Sequence, residues 1–126
     1  MLSLPPSVKV FVATEPVDGR KGFDSLIALA QSTLGENPLS GHLFVFRTRR
    51  GNLVRTLFWD RNGFCLMSKR LERGCFQFPW TVPDGAQRIE VEAAELALML
   101  EGIELAGARR TPRWTPETST PTAAIR

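Results

Sequence analysis

Residues 43–80 read LFVFRTRRGNLVRTLFWDRNGFCLMSKRLERGCFQFPW, and this stretch decides the fold. Runs of alternating apolar and polar residues, rich in aromatic and β-branched types, are separated by Gly51-Asn52, Asn62-Gly63 and Gly74. Asn-Gly between two such runs is a strong hairpin signal, because the tightest hairpin turns need positive φ. The pattern predicts an antiparallel β-meander. With Asn62-Gly63 as a two-residue turn, Trp59 faces Leu66, Leu57 faces Ser68 and Arg55 faces Arg70. With Gly51-Asn52 turning the first hairpin, Phe46 faces Leu57, Phe44 faces Trp59 and Thr48 faces Arg55. One end of the sheet is then aromatic, and the other gathers Arg47, Arg49, Arg50, Arg55, Lys69 and Arg70. Arg55 opposite Arg70 is a like-charge pair, unfavourable in a bare sheet, and it points to an anionic partner.

Upstream, Ser7 to Thr14 (SVKVFVAT) has the period-two pattern of a strand. A Pro/Gly loop follows. From Gly22 to Leu34, Phe23, Leu26, Ile27, Ala30 and Leu34 recur every three or four residues, which predicts an amphipathic helix ending at Gly35. Downstream, Val82–Gln87 reads as a loop, Arg88–Val91 as a short last strand, and Glu92–Glu101 as a second helix with Leu96, Met99, Leu100 and Ile103 on one stripe. The fold class expected is α+β: an antiparallel β-meander sheet of about five strands packed by two helices. Residues 1–106 form a single domain in this reading, and 107–126 a Pro/Thr/Arg-rich tail with little to bury, disordered and basic.

The chain has 126 residues and a net charge of +3, which on its own hints weakly at a polyanion partner. The charge is strongly segregated. Residues 42–80 hold eight Lys/Arg against two Asp/Glu, whereas 81–105 hold one against six. No apolar run reaches the roughly 18 residues of a membrane span. The opening MLSLPPSVKVFV lacks the basic flank of a secretion signal, so a cytoplasmic protein is expected. Two cysteines are too few for a four-thiolate zinc site or a disulfide framework.

Few residues suggest chemistry. His42 is the only histidine and reads as structural. Cys65, between Phe64 and Leu66, reads as a small buried apolar residue. Phe58, Trp59 and Trp80 read as core aromatics, with stacking on bases as the alternative. Asp18, Asp24 and Asp60 invite comparison with two-metal phosphoryl-transfer sites, but each has a local explanation. Asp18 can cap a helix, Asp24 falls in a first helical turn and Asp60 adjoins a hairpin turn. Arg20 and Lys21, bracketed by glycines at a helix start, are plausible phosphate contacts.

Larger blocks carry a resemblance. Asp18-Gly19-Arg20-Lys21-Gly22-Phe23-Asp24-Ser25-Leu26, Gly41-His42-Leu43-Phe44-Val45-Phe46-Arg47 with Arg49-Arg50-Gly51-Asn52, Leu57-Phe58-Trp59-Asp60 with Gly63-Phe64-Cys65-Leu66 and Lys69-Arg70-Leu71-Glu72, and Leu100-Glu101-Gly102-Ile103 occur in order. Together they resemble the TnpB accessory proteins, products of the second open reading frame of IS66-type bacterial insertion sequences. The sequence departs from the pattern at Cys75, where a basic residue is common. The resemblance implies a small protein that works beside a separate, larger transposase, and it carries over no catalytic residue.

The function expected is therefore a non-catalytic accessory protein for DNA transposition. Its partners would be DNA at the element ends and the transposase of the same element, with no cofactor, metal or membrane. The nucleic-acid-binding residues expected are Arg20, Lys21, Arg47, Arg49, Arg50, Arg55, Lys69, Arg70 and Arg73, acting on phosphates rather than on base edges. Two other readings compete. One is a protein–protein adaptor docking on the transposase through the acidic helix or a sheet edge. The other is a nuclease, which needs Asp18, Asp24 and Asp60 around one point.

Overall fold

A computed structural model describes residues 7–101; the tail expected at 107–126, and Ile103, lie outside them. The strands are β1 (Val10–Ala13), β2 (Leu43–Arg47), β3 (Leu53–Asp60), β4 (Gly63–Arg70) and β5 (Arg88–Val91). Helix α1 (Phe23–Ala28) runs on into a wider π turn over Leu29–Thr33, and α2 covers Ala93–Glu101. One five-stranded sheet has the order β4-β3-β2-β1-β5. The α+β class and the two helices agree with the sequence.

The sheet is mixed rather than purely antiparallel, because β1 and β2 pair in parallel. The connection between them carries α1. Such a connection crosses over the sheet and returns the chain in the same direction, which a tight hairpin cannot do. Both strands are buried on both faces: all four residues of β1 and the first four of β2 are buried. That is why VFVA and LFVF read as continuous apolar runs.

Side chains alternate between two cores. Val10, Val12, Leu43, Val45, Val54 and Val91 face α2, and Phe11, Phe44, Phe46 and Leu57 face α1 through Leu26, Ala30 and Leu34. The expected strand at 75–80 does not form. Pro79 has no N–H to donate, and the segment instead lays Phe76, Phe78 and Trp80 onto the α2-side core. Its alternation records packing against a sheet face, not membership of the sheet.

Both hairpin registers differ from expectation by two residues. Trp59 faces Phe64, Leu57 faces Leu66, and Arg55 faces Ser68, while Arg70 faces Leu53. The like-charge Arg55–Arg70 pair is therefore absent. The turn is Arg61-Asn62, with Arg61 at φ 59° and a tight Asn62 N–H to Asp60 carbonyl bond of 2.6 Å. In the first hairpin Phe44 faces Leu57 and Phe46 faces Arg55, and the loop is the four residues Arg49–Asn52, with Gly51 at φ 79°. A slip of two preserves side-chain parity, so each residue keeps the face the pattern assigned to it.

His42 is structural: its Nδ1 accepts from the Lys9 backbone N–H at 3.0 Å, and its ring meets the Phe11 ring edge-on. Cys65 is half-buried rather than buried, because β4 is an outer strand of the sheet.

Candidate nucleic-acid interface

The parallel pairing brings the chain leaving β1 beside the chain leaving β2. Val17 bridges Thr48 in parallel, with its N–H bonded to the Arg47 carbonyl at 2.9 Å. The chain then turns through Asp18–Lys21, closed by Lys21 N–H to Asp18 carbonyl at 3.1 Å. Asp18 does not cap α1, as its position suggested. The residue before α1 is Gly22, with no side-chain cap. Asp18 instead accepts from the Arg20 backbone N–H at 2.8 Å and from both Nε and a terminal nitrogen of its guanidinium, at 3.1 and 2.9 Å. This forked pairing holds the Asp18 carboxyl well below the usual carboxylate range and holds Arg20 more firmly in its charged form.

A second arginine fixes the loop from beneath. Arg55, in β3, donates to the carbonyls of Gly19 at 3.1 Å and Lys21 at 2.8 Å, and through Nε to Ser68 Oγ at 2.7 Å. Gly19 lies so close to β2 and β3 that a Cβ there would stand 3.2 Å from Thr48 Cγ2 and 3.4 Å from Leu53 Cδ2. The loop is thus a preorganised structure, and holding it costs little at the moment of binding.

Below the loop the sheet end opens into a groove of about 580 Å³. Arg49 and Arg50 come to it from the β2–β3 loop and Arg70 from the end of β4, with Asp18–Gly19 as the opposite wall and Asn52 between. The β2–β3 loop is held by the segment after β4. Leu71 N–H bonds the Asn52 carbonyl at 2.8 Å, Phe76 N–H bonds the Gly51 carbonyl at 2.8 Å, and Cys75 Sγ lies 3.2 Å from the Arg50 carbonyl.

The nine expected cations therefore separate into groups. Arg49, Arg50 and Arg70 share the groove, and Arg70 makes only a long, exposed contact with Glu72 at 3.8 Å, a kind of pair worth little. Arg20 and Lys21 stand on the neighbouring loop, and Arg73 lies beyond the end of β4, exposed. Three others are engaged with the protein's own backbone, Arg47 and Arg55 half-buried and Lys69 exposed. Arg55 is the loop clamp. Arg47 stacks on Phe78 at 4.4 Å and donates to the Thr14 carbonyl at 2.9 Å, its Nε buried with no acceptor among the described residues. Lys69 projects to the other face and donates to the Leu100 carbonyl at the end of α2, where a cation suits the helix dipole. Sequence reasoning missed the groove wall at Pro16–Gly19, which becomes visible only once β1 and β2 are parallel.

The three carboxylates of the nuclease reading do not converge. Asp24 is in the first turn of α1 and Asp18 is paired with Arg20. Asp60 is at the far end of β3, about 23 Å along the strand from Leu53 at the groove. No group of three potential metal ligands occurs among the described residues.

A mixed sheet with one clamped loop and an arginine-lined groove defines a small α+β protein with a basic surface site. Its relatives narrow the class. The family model described as "IS66 Orf2 like protein" matches residues 8–110. The chain belongs to this IS66 Orf2-like family, an accessory family of insertion sequences rather than a known enzyme family. It is similar to two proteins of Sinorhizobium fredii (strain NBRC 101917 / NGR234), both described as uncharacterized. It is 40% identical to y4jC over 105 residues, covering 83% of this chain and 87% of that one. It is 40% identical to y4hO over 116 residues, covering 92% and 96%. No solved structure matches the chain. No helix among the described residues is long and apolar enough to cross a membrane.

Proposed function

We propose that the chain serves transposition as a non-catalytic partner that grips DNA by its phosphates. The observation that carries this reading is the convergence of Arg49, Arg50 and Arg70, from two separate strand ends, on one groove beside the rigid Asp18–Lys21 loop. Arginine forks suit phosphate oxygens, and phosphate contacts position a protein on DNA without reading its sequence. Lys21 and Arg73 extend the contact along the backbone. Arg47, Arg55 and Lys69 belong to the scaffold in this reading.

The test is a gel shift of the full chain against element-end and scrambled duplexes at two salt concentrations. The Arg49→Ala/Arg50→Ala variant weakens binding to both duplexes alike. It also lowers the slope of log affinity against log salt by about 1.8, from roughly 0.9 per lost phosphate contact. An unchanged affinity and slope overturn the proposal.

A further inference from the structure

The groove beside the phosphate-binding arginines is larger than a phosphate requires. A phosphate group has fewer heavy atoms than benzene, which fills an engineered cavity of about 150 Å³. The groove is about 580 Å³, inside the range of about 300–1,000 Å³ that holds whole small molecules. Its floor is also of the wrong kind for phosphate alone. Pro16, Val17 and Leu53 line it, all half-buried, and they present aliphatic surface to the space. Asn52 adds a side-chain amide, which donates and accepts.

The charge around the space has one sign. Arg49, Arg50 and Arg70 stand at its rim, all exposed. The carboxylate in the wall, Asp18, is taken up by the forked bond from Arg20, and Glu72 meets Arg70 only at 3.8 Å. Among the described residues the groove is therefore cationic above and apolar below. That arrangement suits an anion carrying a flat, largely apolar body, which is what a nucleotide is. A continuous duplex fits it less well. Its backbone is convex and its bases are stacked and paired inside, so it can lie across the rim but leaves the floor empty. An unpaired nucleotide has a free base, and unstacked bases are held on guanidinium planes as well as on aromatic rings.

We propose that the groove receives one unpaired nucleotide of a DNA strand, its phosphate under Arg49, Arg50 and Arg70 and its base over Pro16, Val17 and Leu53. Such a contact tolerates any base, because every base has a π-face. The inference rests on the phosphate grip proposed for the same arginines and adds the strand state that the groove prefers.

The experiment uses the full chain and three labelled DNAs with equal numbers of phosphates: a blunt duplex, a duplex with a short single-stranded overhang, and the same overhang built of abasic units. Free deoxycytidine monophosphate and inorganic phosphate are further probes, followed by backbone amide NMR. The parent chain should bind the overhanging duplex about tenfold tighter than the blunt one, towards the low end of what stacking one base contributes. Abasic units should remove that preference, and so should Arg49→Ala/Arg50→Ala. The nucleotide should shift the amide signals of Val17 and Leu53, and phosphate should leave them in place. Equal binding of blunt and overhanging duplexes, both still weakened in Arg49→Ala/Arg50→Ala, overturns the nucleotide site and leaves the phosphate grip standing. A preference that survives abasic units overturns it as well, since strand flexibility then explains it, and one that survives the double variant places it on another surface. Val17 and Leu53 signals that move equally with phosphate, or with neither probe, do the same. DNA binding that does not depend on Arg49 and Arg50 at all overturns the site and the grip together.

Discussion

Replacing Arg55 separates a scaffold arginine from a phosphate-binding one. Its guanidinium makes three hydrogen bonds, to the Gly19 and Lys21 carbonyls and to Ser68 Oγ. Bonds from a charged donor contribute about 1.5–3 kcal/mol each, but they are not additive, and the freed carbonyls at this partly open site can take up water. Arg55→Ala should therefore cost about 2–3 kcal/mol. For a domain of this size that is a fall in Tm of roughly 8–12 °C. Arg55→Lys keeps the charge but lacks the planar fork, so it should satisfy one carbonyl at most and lose about half as much. Urea unfolding with an unchanged m value measures the difference, and a thermal scan checks it. The salt slope of DNA binding should stay that of the parent chain in both variants. A stability loss below about 0.5 kcal/mol for Arg55→Ala, or a shallower salt slope, would refute the clamp and return Arg55 to the phosphate-binding set.

Lys69→Met should loosen the end of α2 by about 0.5–1 kcal/mol in urea unfolding, the size of a helix-end charge effect, and leave duplex affinity unchanged. Gly19→Ala should lose about 1 kcal/mol through the 3.2 Å approach to Thr48 Cγ2. Adding Thr48→Ser, which removes that methyl, should restore part of the loss, and a double-mutant cycle reads the coupling. The Asp18 carboxyl, followed by NMR, should show no titration in the ordinary carboxylate range. Its folded pKa is lowered by Arg20, so its contribution is fully present above the unfolded value of about 3.9 and fades only as pH falls through the lowered one. Asp18→Asn should accordingly destabilise the chain equally at pH 5 and pH 8.

Much of the fold can be read from the alternation in residues 43–70, since β2, β3 and β4 occupy the runs that pattern marks. The turns are less legible. Their geometry depends on single backbone angles, and the left-handed Arg61 at φ 59° follows no residue preference, with Gly63 two positions on. The direction of β1 was legible in principle, because a helix between two doubly buried strands is the mark of a crossover. The site was legible as charge and opaque as destination. Arg47, Arg55 and Lys69 bond carbonyls 31 to 36 residues away, and no local pattern tells an arginine reaching inward from one facing solvent.

The order of strands has a consequence for how the chain is made. Loop 15–21, the arginine groove, its Arg55 clamp and the segment that holds the β2–β3 loop are all encoded by residue 76. Yet β1 remains an open edge until β5 arrives at Arg88–Val91 to pair with it. Until then VFVA presents unpaired backbone along an apolar strand, the kind of edge that recruits other chains. A chain stopped between those points would carry every residue of the basic groove and still tend to aggregate. Among the described residues, the last strand synthesised is the one that shields the first, so the covering of that edge and the groove are secured at different moments of translation.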